Sequence, residues 1–392
     1  MSRSLALLSL IACVSLPAAD YSWQEPHAEV VASGDLRWAP KPFAYTPGPS
    51  VRYIDYENGS DAKDGRTQQA AWKHHPWDKQ AKEKAAACKG SHTYVFKRGV
   101  IYRGALVTGE SGAPEAPIQL TSDPNWGKGE AGLYGSERIV GWQRGAKHAD
   151  IPEAGKVWVK DLDFAPRCVW LVQAGGAAQR IALARSPNWS VSDPDDIKSE
   201  WWEWENPGHP FENYTKTAKG RRLHLGIDTK HLTQPAEYYE GGTIWTEYGW
   251  VMGTPYPAPI EAVDIEQKGL GFGGQWGGVG GQKIVRFNRY YIEDKPHYLD
   301  APGEFWFDKK GAGGKLYLRL PGDQDPNTAQ VEVARRGTLI DSVGMNHVRF
   351  SGLTFRFTNV YWGLTAGPWV GKAVDPACIR LLGSGTDLQV TN

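Results

Sequence analysis

The feature that most constrains the fold is a repeat close to the C-terminal end of the sequence. Residues 338–352 (TLIDSVGMNHVRFSG) and 377–392 (ACIRLLGSGTDLQVTN) each contain an apolar segment, a glycine turn and a run of alternating residues. Short alternating strands that recur at a fixed spacing are typical of a parallel β-solenoid, in which each coil buries its apolar edge against the next. The repeat therefore predicts stacked parallel strands in this part of the chain.

The alignment of the two copies also predicts which residues are neighbours. Val348 and Phe350 align with Leu388 and Val390, and Gly352 aligns with an asparagine. Glycine and asparagine both tolerate positive φ, so each copy can end in the same kind of turn. We expect the residues between the two copies to form an extra turn or a projecting loop.

The rest of the sequence favours an all-β protein over a helical bundle. Its 392 residues include 46 glycines and 26 prolines, and turn signals separate short apolar strands at intervals of roughly 8–12 residues. One helix is expected over residues 78–88, which are rich in Ala, Lys and Glu and begin with an acidic residue. The predicted class is all-β: a solenoid with an inserted β-rich module and a short N-terminal helix.

The N-terminal residues are typical of an export signal. Arg3 gives a small positive region, residues 5–16 are apolar but shorter than the roughly 20 residues that span a bilayer, and Ala18 and Ala19 suit cleavage. A lipoprotein signal ending at Cys13 is the less favoured alternative. No other apolar run approaches membrane length, so we expect a secreted or periplasmic protein without a membrane span.

The charge balance limits the kinds of partner, and the cysteine content limits the possible disulfides. The 44 basic and 44 acidic side chains give a formal net charge of zero, which argues against a nucleic acid held by a basic surface. Cys88, Cys168 and Cys378 remain after signal removal and form no C-x-x-C motif. One disulfide plus a free thiol is possible, but unpaired cysteines are the preferred interpretation.

These patterns predict four segments. Residues 1–19 are the signal peptide, residues 20–145 hold a lead-in and the first coils, residues 146–335 form the inserted Trp-rich module, and residues 336–392 return to the coils. Solenoids need a polar cap on the last coil, and nothing at the end of the sequence resembles one. We therefore expect the coils to be incomplete here. Separately, we expect the protein to be a monomer.

Several segments, taken in order, resemble one family of proteins. They lie at the opening of the predicted solenoid, in the inserted module and at the return to the coils: residues 53–65 (YIDYENGSDAKDG), 94–104, 183–189 (LARSPNW), 299–308 (LDAPGEFWFD), 316–327 (LYLRLPGDQDPN) and 344–355 (GMNHVRFSGLTF). Over residues 50–392 the sequence resembles secreted right-handed parallel β-helix glycoside hydrolases of the fucosidase/xylanase type.

The resemblance implies a pectin lyase-like β-helix that degrades a cell-wall polysaccharide, with a polysaccharide or oligosaccharide as its partner. It also implies that the catalytic acids lie on later coils. One solenoid fold hosts hydrolases, lyases and binding proteins. A polysaccharide lyase acting on a uronate-containing polymer and a non-catalytic carbohydrate-binding β-helix therefore remain alternatives.

Hydrolysis of a glycoside needs two carboxylates, roughly 5–5.5 Å apart for retention and roughly 6.5–9.5 Å apart for inversion. Asp375 follows the loop that enters the last predicted coil, and Glu304 lies in the segment PGEFWFD. We take these two as the catalytic candidates, although both also fit structural positions. The other acids considered are Asp161, Asp163, Glu203, Glu205 and Asp308.

A run of aromatic residues, WWEW at 201–204, is the strongest indication of a sugar site. Indole rings offer flat apolar faces and an N–H donor for hydroxyl groups. Packing within the module is the competing interpretation. Arg185 could meet a uronate carboxylate or a hydroxyl, although an ion pair inside the module is commoner. The predicted substrate-binding residues are Arg185, Trp189, Trp201, Trp202, Trp204 and Trp362, with Trp245, Trp250 and Trp276 as further candidates.

No cofactor is required by these patterns, and Ca²⁺ is the one metal considered. Asn58, Asp61 and Asp64 share a glycine-bounded loop, and alternating oxygen ligands can hold Ca²⁺. The loop lacks the glutamate that ends an EF-hand loop, so the metal signal is weak, and a network of Asx turns is the preferred explanation. The G-x-G-x-x-G pattern at 269–274 is followed by no predicted helix, so we attribute it to chance.

Overall fold

The structure is a computed structural model of the 392-residue chain. It describes residues 28–38, 43–206, 214–217, 220, 222–249, 255–273, 284–360 and 377–391. The predicted signal peptide, residues 1–19, lies outside them. Within these ranges, no helix combines the length and the apolar character needed to cross a membrane.

Strands dominate the described residues. Those that precede residue 135 are β1 (Ala28–Val30), β2 (Leu36–Trp38), β3 (Val51–Ile54), β4 (Thr93–Arg98), β5 (Ile101–Tyr102), β6 (Leu106–Thr108), β7 (Ile118–Gly127) and β8 (Gly132–Tyr134). Those between 136 and 334 are β9 (Ser136–Arg138), β10 (Gln143–Arg144), β11 (Trp158–Leu162), β12 (Val169–Val172), β13 (Ala178–Leu183), β14 (Arg185–Ser186), β15 (Trp202–Glu203), β16 (Tyr214–Lys216), β17 (Arg222–Ile227), β18 (Thr243–Thr246), β19 (Tyr256–Asp264), β20 (Gly269–Phe272), β21 (Arg289–Glu293), β22 (Glu304–Lys310), β23 (Gly313–Arg319) and β24 (Gln330–Ala334). The remainder are β25 (Ile340–Ser342), β26 (Met345–Ser351), β27 (Thr354–Arg356), β28 (Ile379–Leu381) and β29 (Gly385–Thr391).

The predicted all-β class is confirmed, and the sheets are of two kinds. β1 and β2 form a separate antiparallel pair. The other strands from before residue 135 and those after residue 339 form three wholly parallel sheets. Strands between 136 and 334 form two larger sheets in which the pairing is antiparallel, except where β13 runs parallel to β22. We refer to these two parts as the parallel region and the inserted module.

The chain visits the three parallel sheets in a cyclic order. The first sheet contains β3, β4, β7, β26 and β29, the second contains β5, β8 and β27, and the third contains β6, β25 and β28. From β4 to β8 the order is first, second, third, first, second, and from β25 to β29 it continues third, first, second, third, first. The inserted module therefore occupies the connection between a strand of the second sheet and a strand of the third.

The register predicted from the repeat is confirmed. In the pairing of β26 with β29, Val348 lies opposite Leu388 and Phe350 lies opposite Val390, and Gly352 has a φ of +60°. Both copies also contain a residue that the sequence did not single out: His347 and Asp387 have φ values of +50° and +51°. The His347 Nδ1 and Asp387 Oδ2 atoms are 3.1 Å apart.

Stacked apolar side chains fill the interior of the parallel region. Tyr94 pairs with Leu120, Leu120 with Phe350, and Phe350 with Val390. The first three are at most 2% exposed, whereas Val390 on the edge strand is 63% exposed. Full burial of such a side chain contributes about 1.5–3 kcal/mol to the stability of the fold. At this row of stacked residues the inner strands therefore contribute more than the edge strand.

The inserted module buries side chains on both faces of its first sheet, because successive residues of a strand point to opposite sides. Phe305 in β22 lies in a cluster with Val331 and Val333, and the next residue, Trp306, lies in a cluster with Tyr290 and other residues of the second sheet. The resulting core is richer in Tyr and Trp than the interior of the parallel region.

A buried ion pair joins the two parts of the molecule. Arg103, which follows β5, donates two hydrogen bonds of 2.7 and 2.9 Å to the carboxylate of Glu332 in β24. The Ser136 hydroxyl donates a third, of 2.6 Å, to the same carboxylate. Burial alone would raise the pKa of Glu332, but the hydrogen bonds from Arg103 and Ser136 hold it below its usual value.

The helix predicted over residues 78–88 is shorter in the structure, where α1 spans Glu83–Ala87. Side-chain carboxylates accept hydrogen bonds from backbone N–H groups that an earlier helical turn would use. The Gln80 N–H donates to Asp78 at 2.7 Å and the Lys82 N–H donates to Asp61 at 3.1 Å. A second short helix, α2, spans Ala236–Tyr239, and single 3₁₀ turns lie at Gln68–Ala70, Ala154–Lys156, Pro296–Tyr298 and Pro321–Asp323.

The cysteines are unpaired, as the preferred interpretation of the sequence had it. Cys88, Cys168 and Cys378 are all free thiols in the described structure. Cys168 is buried and the other two are half-buried. No disulfide therefore links the module to the parallel region through these residues.

Candidate functional site

A cavity of about 450 Å³ opens between the strands β13, β14, β18 and β21 of the inserted module. Arg185 in β14 lies opposite Glu293 in β21, and Trp245 in β18 lies opposite Tyr291 in the same strand. Tyr291 and Glu293 are two residues apart, so they project to one face of the sheet. We call this the arginine–tryptophan cavity; its polar and aromatic lining is Arg167, Arg180, Arg185, Trp189, Trp245, Tyr291 and Glu293.

Arg185 lies in an aromatic cage. Its guanidinium carbon is 3.5 Å from the ring centroid of Tyr291, 5.3 Å from that of Trp189 and 5.5 Å from that of Trp201. Its Nε donates to the carbonyl oxygen of Pro187 at 2.9 Å, and the residue is only 4% exposed. The ion pair that the sequence favoured for Arg185 does not form among the described residues, where rings surround the charge instead.

Trp189 gives the cavity an accessible flat wall. Its side chain is 52% exposed, unlike most large apolar residues of the module. Deeper in the cavity, the Trp245 and Tyr291 rings are nearly parallel, with 6.1 Å between their centroids and 9° between their planes. Rings with an open face beside hydrogen-bonding groups are what a sugar ring requires.

Glu293 is the one carboxylate among the described residues that line this cavity. It is 8% exposed, and its Oε1 accepts a 2.8 Å hydrogen bond from the Trp245 indole N–H. Burial raises the pKa of Glu293, although the Trp245 hydrogen bond and the nearby arginines oppose the rise. A carboxyl group held this way can donate a proton or a hydrogen bond to a bound hydroxyl.

The other two arginines of the cavity differ in their partners. The Arg167 Nη1 atom is 2.8 Å from Asp294 Oδ2, so its charge is paired. Arg180 is exposed, and its Nη2 donates to the Cys168 sulfur at 3.4 Å. Burial raises the pKa of the Cys168 thiol, so the thiol stays neutral and does not balance the charge of Arg180.

A second, wider groove of about 1010 Å³ is lined by all four residues of the WWEW run. Trp202 stacks on His231 with 4.6 Å between ring centroids and 4° between planes. Asp228 holds that imidazole through a 2.7 Å contact to Nδ1 and accepts a 2.7 Å hydrogen bond from the Tyr290 hydroxyl. Glu203 and Glu205 are exposed along the same groove.

The residues of the WWEW run have different environments. The Trp204 ring is 1% exposed, stacks on Tyr290 at 3.5 Å and donates to the Thr246 hydroxyl at 2.9 Å, so it is part of the core. Trp201 is half-buried, with 77° between its ring plane and that of Tyr291. Trp202 is half-buried and stacks on His231 in the groove. The run thus serves packing and surface together.

Glu304 lies at the start of β22, next to β13. It is 3% exposed and accepts 3.4 Å hydrogen bonds from the backbone N–H groups of Arg185 and Ala301. Burial, with a smaller contribution from Asp300, raises the pKa of Glu304 to about 8. A carboxyl that is protonated at neutral pH suits a general acid, but the burial of Glu304 favours a role in the turn.

Some predicted residues cannot be placed. Asp375 and Trp362, as well as Trp250 and Trp276, lie outside the described residues. The other acids considered lie at the surface: Asp161 pairs with Lys315 at 2.8 Å, Asp163 with Arg335 at 3.0 Å, and Asp308 with Lys310 at 3.4 Å. Asp161 and Asp308 lie opposite Lys315 on the two strands that flank β23, and each of the three acids is held in an ion pair of its own.

The loop that contains Asn58, Asp61 and Asp64 is held by its own hydrogen bonds. Asp61 accepts from the backbone N–H groups of Lys73, His74 and Lys82 and contacts the His74 ring at 2.8 Å. Asp64 accepts from the Arg66 N–H at 3.0 Å. Across the described ranges, no three His, Cys, Asp or Glu residues come together in a way that could hold a metal ion.

Sequence reasoning placed Arg185, Trp189 and Trp245 in a sugar site but missed their neighbours. Tyr291 and Glu293 belong to an ordinary alternating strand, RYYIE. Nothing in that segment shows that its outward face meets residue 185, more than 100 positions earlier. The one available signal was alternation, since Tyr290 and Ile292 are fully buried and leave Tyr291 and Glu293 on the other face.

Two solved structures are similar to this chain. One is titled "Glycoside hydrolase"; it matches with a TM-score of 0.53 at 17% sequence identity, over 81% of this chain and 53% of that one. The other, a complex of XylC with xylose, has a TM-score of 0.39 at 16% identity, over 84% of this chain and 38% of that one. The chain thus spans about half, or less, of their length, and the first likeness shows a shared fold.

Sequence comparisons add no further relatives. No family model matches the chain. No curated protein matches it either.

Proposed function

We propose that the three parallel sheets are the faces of a right-handed parallel β-helix that the inserted module interrupts. The cyclic order in which the strands visit the sheets supports this, because each complete cycle then corresponds to one coil. The fold likeness to a structure titled as a glycoside hydrolase supports the same interpretation. The N-terminal residues, typical of an export signal, agree with a protein that acts outside the cytoplasm.

We further propose that the protein is a carbohydrate-active enzyme of the glycoside hydrolase type and that the arginine–tryptophan cavity is one of its sugar-binding subsites. The observation that carries this proposal is the exposed Trp189 ring beside a buried arginine and a hydrogen-bonding carboxyl group. The ring would stack on the apolar face of a sugar, and Arg185 and Glu293 would bind its polar substituents.

Bond cleavage requires more than this cavity offers. Glycoside hydrolysis uses a pair of carboxylates, and Glu293 is the only one among the described lining residues. The cavity is therefore proposed as a subsite that holds the substrate, and the catalytic pair is assigned elsewhere. Asp375 remains the sequence-predicted candidate for one member.

The experiment is a comparison of product formation and binding on a panel of plant and algal cell-wall polysaccharides. A hydrolase releases reducing ends, and its products lack the ultraviolet absorbance of unsaturated sugars. A lyase would give that absorbance. A binding protein would be removed from solution by the polysaccharide and would release no product. Either of the last two results contradicts hydrolysis while leaving the sugar subsite to be tested separately.

Trp189→Ala tests the subsite. We expect about a tenfold or greater loss of affinity for the bound polysaccharide, with a melting temperature close to that of the wild type because the ring is half-exposed. Trp38→Ala is the matched control, since Trp38 is 69% exposed on β2, outside the inserted module. Equal affinities for the two variants would contradict the assignment.

A further inference from the structure

We propose that the arginine–tryptophan cavity selects an acidic sugar, one that carries a carboxylate or a sulfate group, and that Arg185 binds this anion. The inference rests on the proposed function, because it names the class of sugar that the same cavity would hold. Three guanidinium groups and a single carboxyl group line the cavity among the described residues.

The Arg185 guanidinium is incompletely hydrogen-bonded. A guanidinium has five N–H donors, and the described structure gives this one a single acceptor, the Pro187 carbonyl. The residue is nevertheless 4% exposed, and no described carboxylate forms an ion pair with it at contact distance, although Glu293 and Glu304 attract its charge from farther away. Because a buried charge without a counterion in direct contact is costly, Arg185 is suited to an anion that arrives with the ligand.

The rings of the cage surround Arg185 without taking its hydrogen-bonding capacity. Its guanidinium carbon lies over the Tyr291 ring at 3.5 Å and over the Trp189 ring at 5.3 Å. A guanidinium that stacks on aromatic rings keeps the N–H groups along its edge for hydrogen bonds. Carboxylates and sulfates accept two parallel hydrogen bonds from such an edge, which neutral hydroxyl groups do less well.

The other charged residues of the cavity wall do not balance one another. Arg167 is neutralised by Asp294 at 2.8 Å, but Arg180 contacts only the neutral Cys168 sulfur at 3.4 Å in the described structure. Glu293 is the one carboxyl group among the described lining residues, so it can balance at most one of the remaining guanidinium groups. The cavity therefore keeps an excess of positive charge, and a low-dielectric wall strengthens its attraction for an anion.

The test uses calorimetric titration of the full chain with matched pairs of oligosaccharides that differ in charge. The carboxylate pairs are oligogalacturonate with its methyl ester, and glucuronoxylan oligosaccharides with unsubstituted xylan oligosaccharides. The sulfate pair is a sulfated galactan oligosaccharide with its desulfated form. In each pair that binds, we expect the charged member to bind about 10- to 100-fold more tightly than the neutral member. Whether the carboxylate pairs or the sulfate pair bind identifies the anion.

Two variants connect the preference to the cavity. Arg185→Gln should remove the difference between charged and neutral members, and Arg180→Gln, at an exposed position, should reduce it with no effect on folding. Arg144→Gln is the control, because Arg144 also donates its Nε to a carbonyl, at 3.1 Å, and also lies over an indole ring. It should leave the preference unchanged.

The outcomes separate the two proposals. If neutral and charged members bind equally, or if the preference survives in both Arg185→Gln and Arg180→Gln, the acidic-sugar inference is overturned and the sugar subsite stands. If no oligosaccharide of the panel binds, the sugar subsite itself is wrong. If Arg185→Gln fails to fold, the Arg180→Gln result decides.

Discussion

The parallel region and the inserted module bury apolar side chains in contrasting ways. In the parallel region, aligned residues of successive strands stack in the interior, so that Leu120 and Phe350 occupy equivalent positions. In the module, two sheets pack face to face, and polar groups such as Arg185 and Glu304 are buried with the aromatic residues. A repeated interior gives a regular scaffold, whereas an irregular one leaves cavities and perturbed charges that can be used for recognition.

The largest effect is expected inside the scaffold. Phe350→Ala removes a ring that is 2% exposed and should lower the free energy of unfolding by about 3–5 kcal/mol. Val390→Ala, at the aligned position on the edge strand, removes a side chain that is 63% exposed and should cost about 1 kcal/mol or less. Chemical denaturation measures both. Similar losses for the two variants would contradict the stacked interior.

The next effect is expected at the junction between the two parts. Arg103→Ala leaves the Glu332 carboxylate, which is 0% exposed, without its counterion and should destabilise the protein by about 3 kcal/mol. The surface pair of Arg335 with Asp163 is the control, and Arg335→Ala should cost about 1 kcal/mol or less.

The pH dependence sharpens this junction test. Because the pKa of Glu332 is lowered in the folded protein, the pair stabilises the fold above the usual carboxyl pKa and loses that effect as the pH falls. The difference between the wild type and Arg103→Ala should therefore shrink in acid. If the stability difference between the wild type and Arg103→Ala stays constant down to low pH, the ion pair of Arg103 with Glu332 does not stabilise the junction.

A smaller effect of opposite sign is expected from Glu304 in the module. Its folded-state pKa of about 8 lies above the unfolded value, so the folded protein binds the proton more tightly and stability falls as the pH rises from about 4.5 to about 8. Glu304→Gln removes this loss, so its stability relative to the wild type should rise steadily across that range. Denaturation at several pH values measures it; a pH-independent difference would contradict a buried, protonated carboxyl.

The smallest effect is expected at the module surface. Asp161→Asn breaks an exposed contact with Lys315, and surface ion pairs contribute little. Stability and the rate of sugar release should both stay within experimental error of the wild type. A large loss of sugar release with normal stability would restore Asp161 as a catalytic candidate.

The same contrast explains what the sequence could predict. The repeat encoded the pairing of Val348 with Leu388 directly, because stacked parallel strands place like residues at like positions. The positive φ values of His347 and Asp387 had no such signal, since neither residue type demands them. The helix over 78–88 was overestimated because its propensity gave no indication that Asp61 would take the Lys82 N–H.

The site was predicted in part for a related reason. Exposed and buried tryptophans look the same in a sequence, so Trp189 and Trp204 were grouped although one is 52% and the other 1% exposed. Arg185 was identified from its neighbour Trp189, but its cage depends on Tyr291, which only the pairing of β14 with β21 brings close. Long-range antiparallel pairing is what the local pattern does not contain.

The most direct test of the central claim is a crystal structure of the protein with an acidic oligosaccharide. The account predicts a sugar ring against Trp189, with its anionic group within hydrogen-bond distance of the Arg185 guanidinium. An oligosaccharide bound only in the groove beside Glu203 and Glu205, or only along the parallel sheets, with the arginine–tryptophan cavity empty, would contradict it.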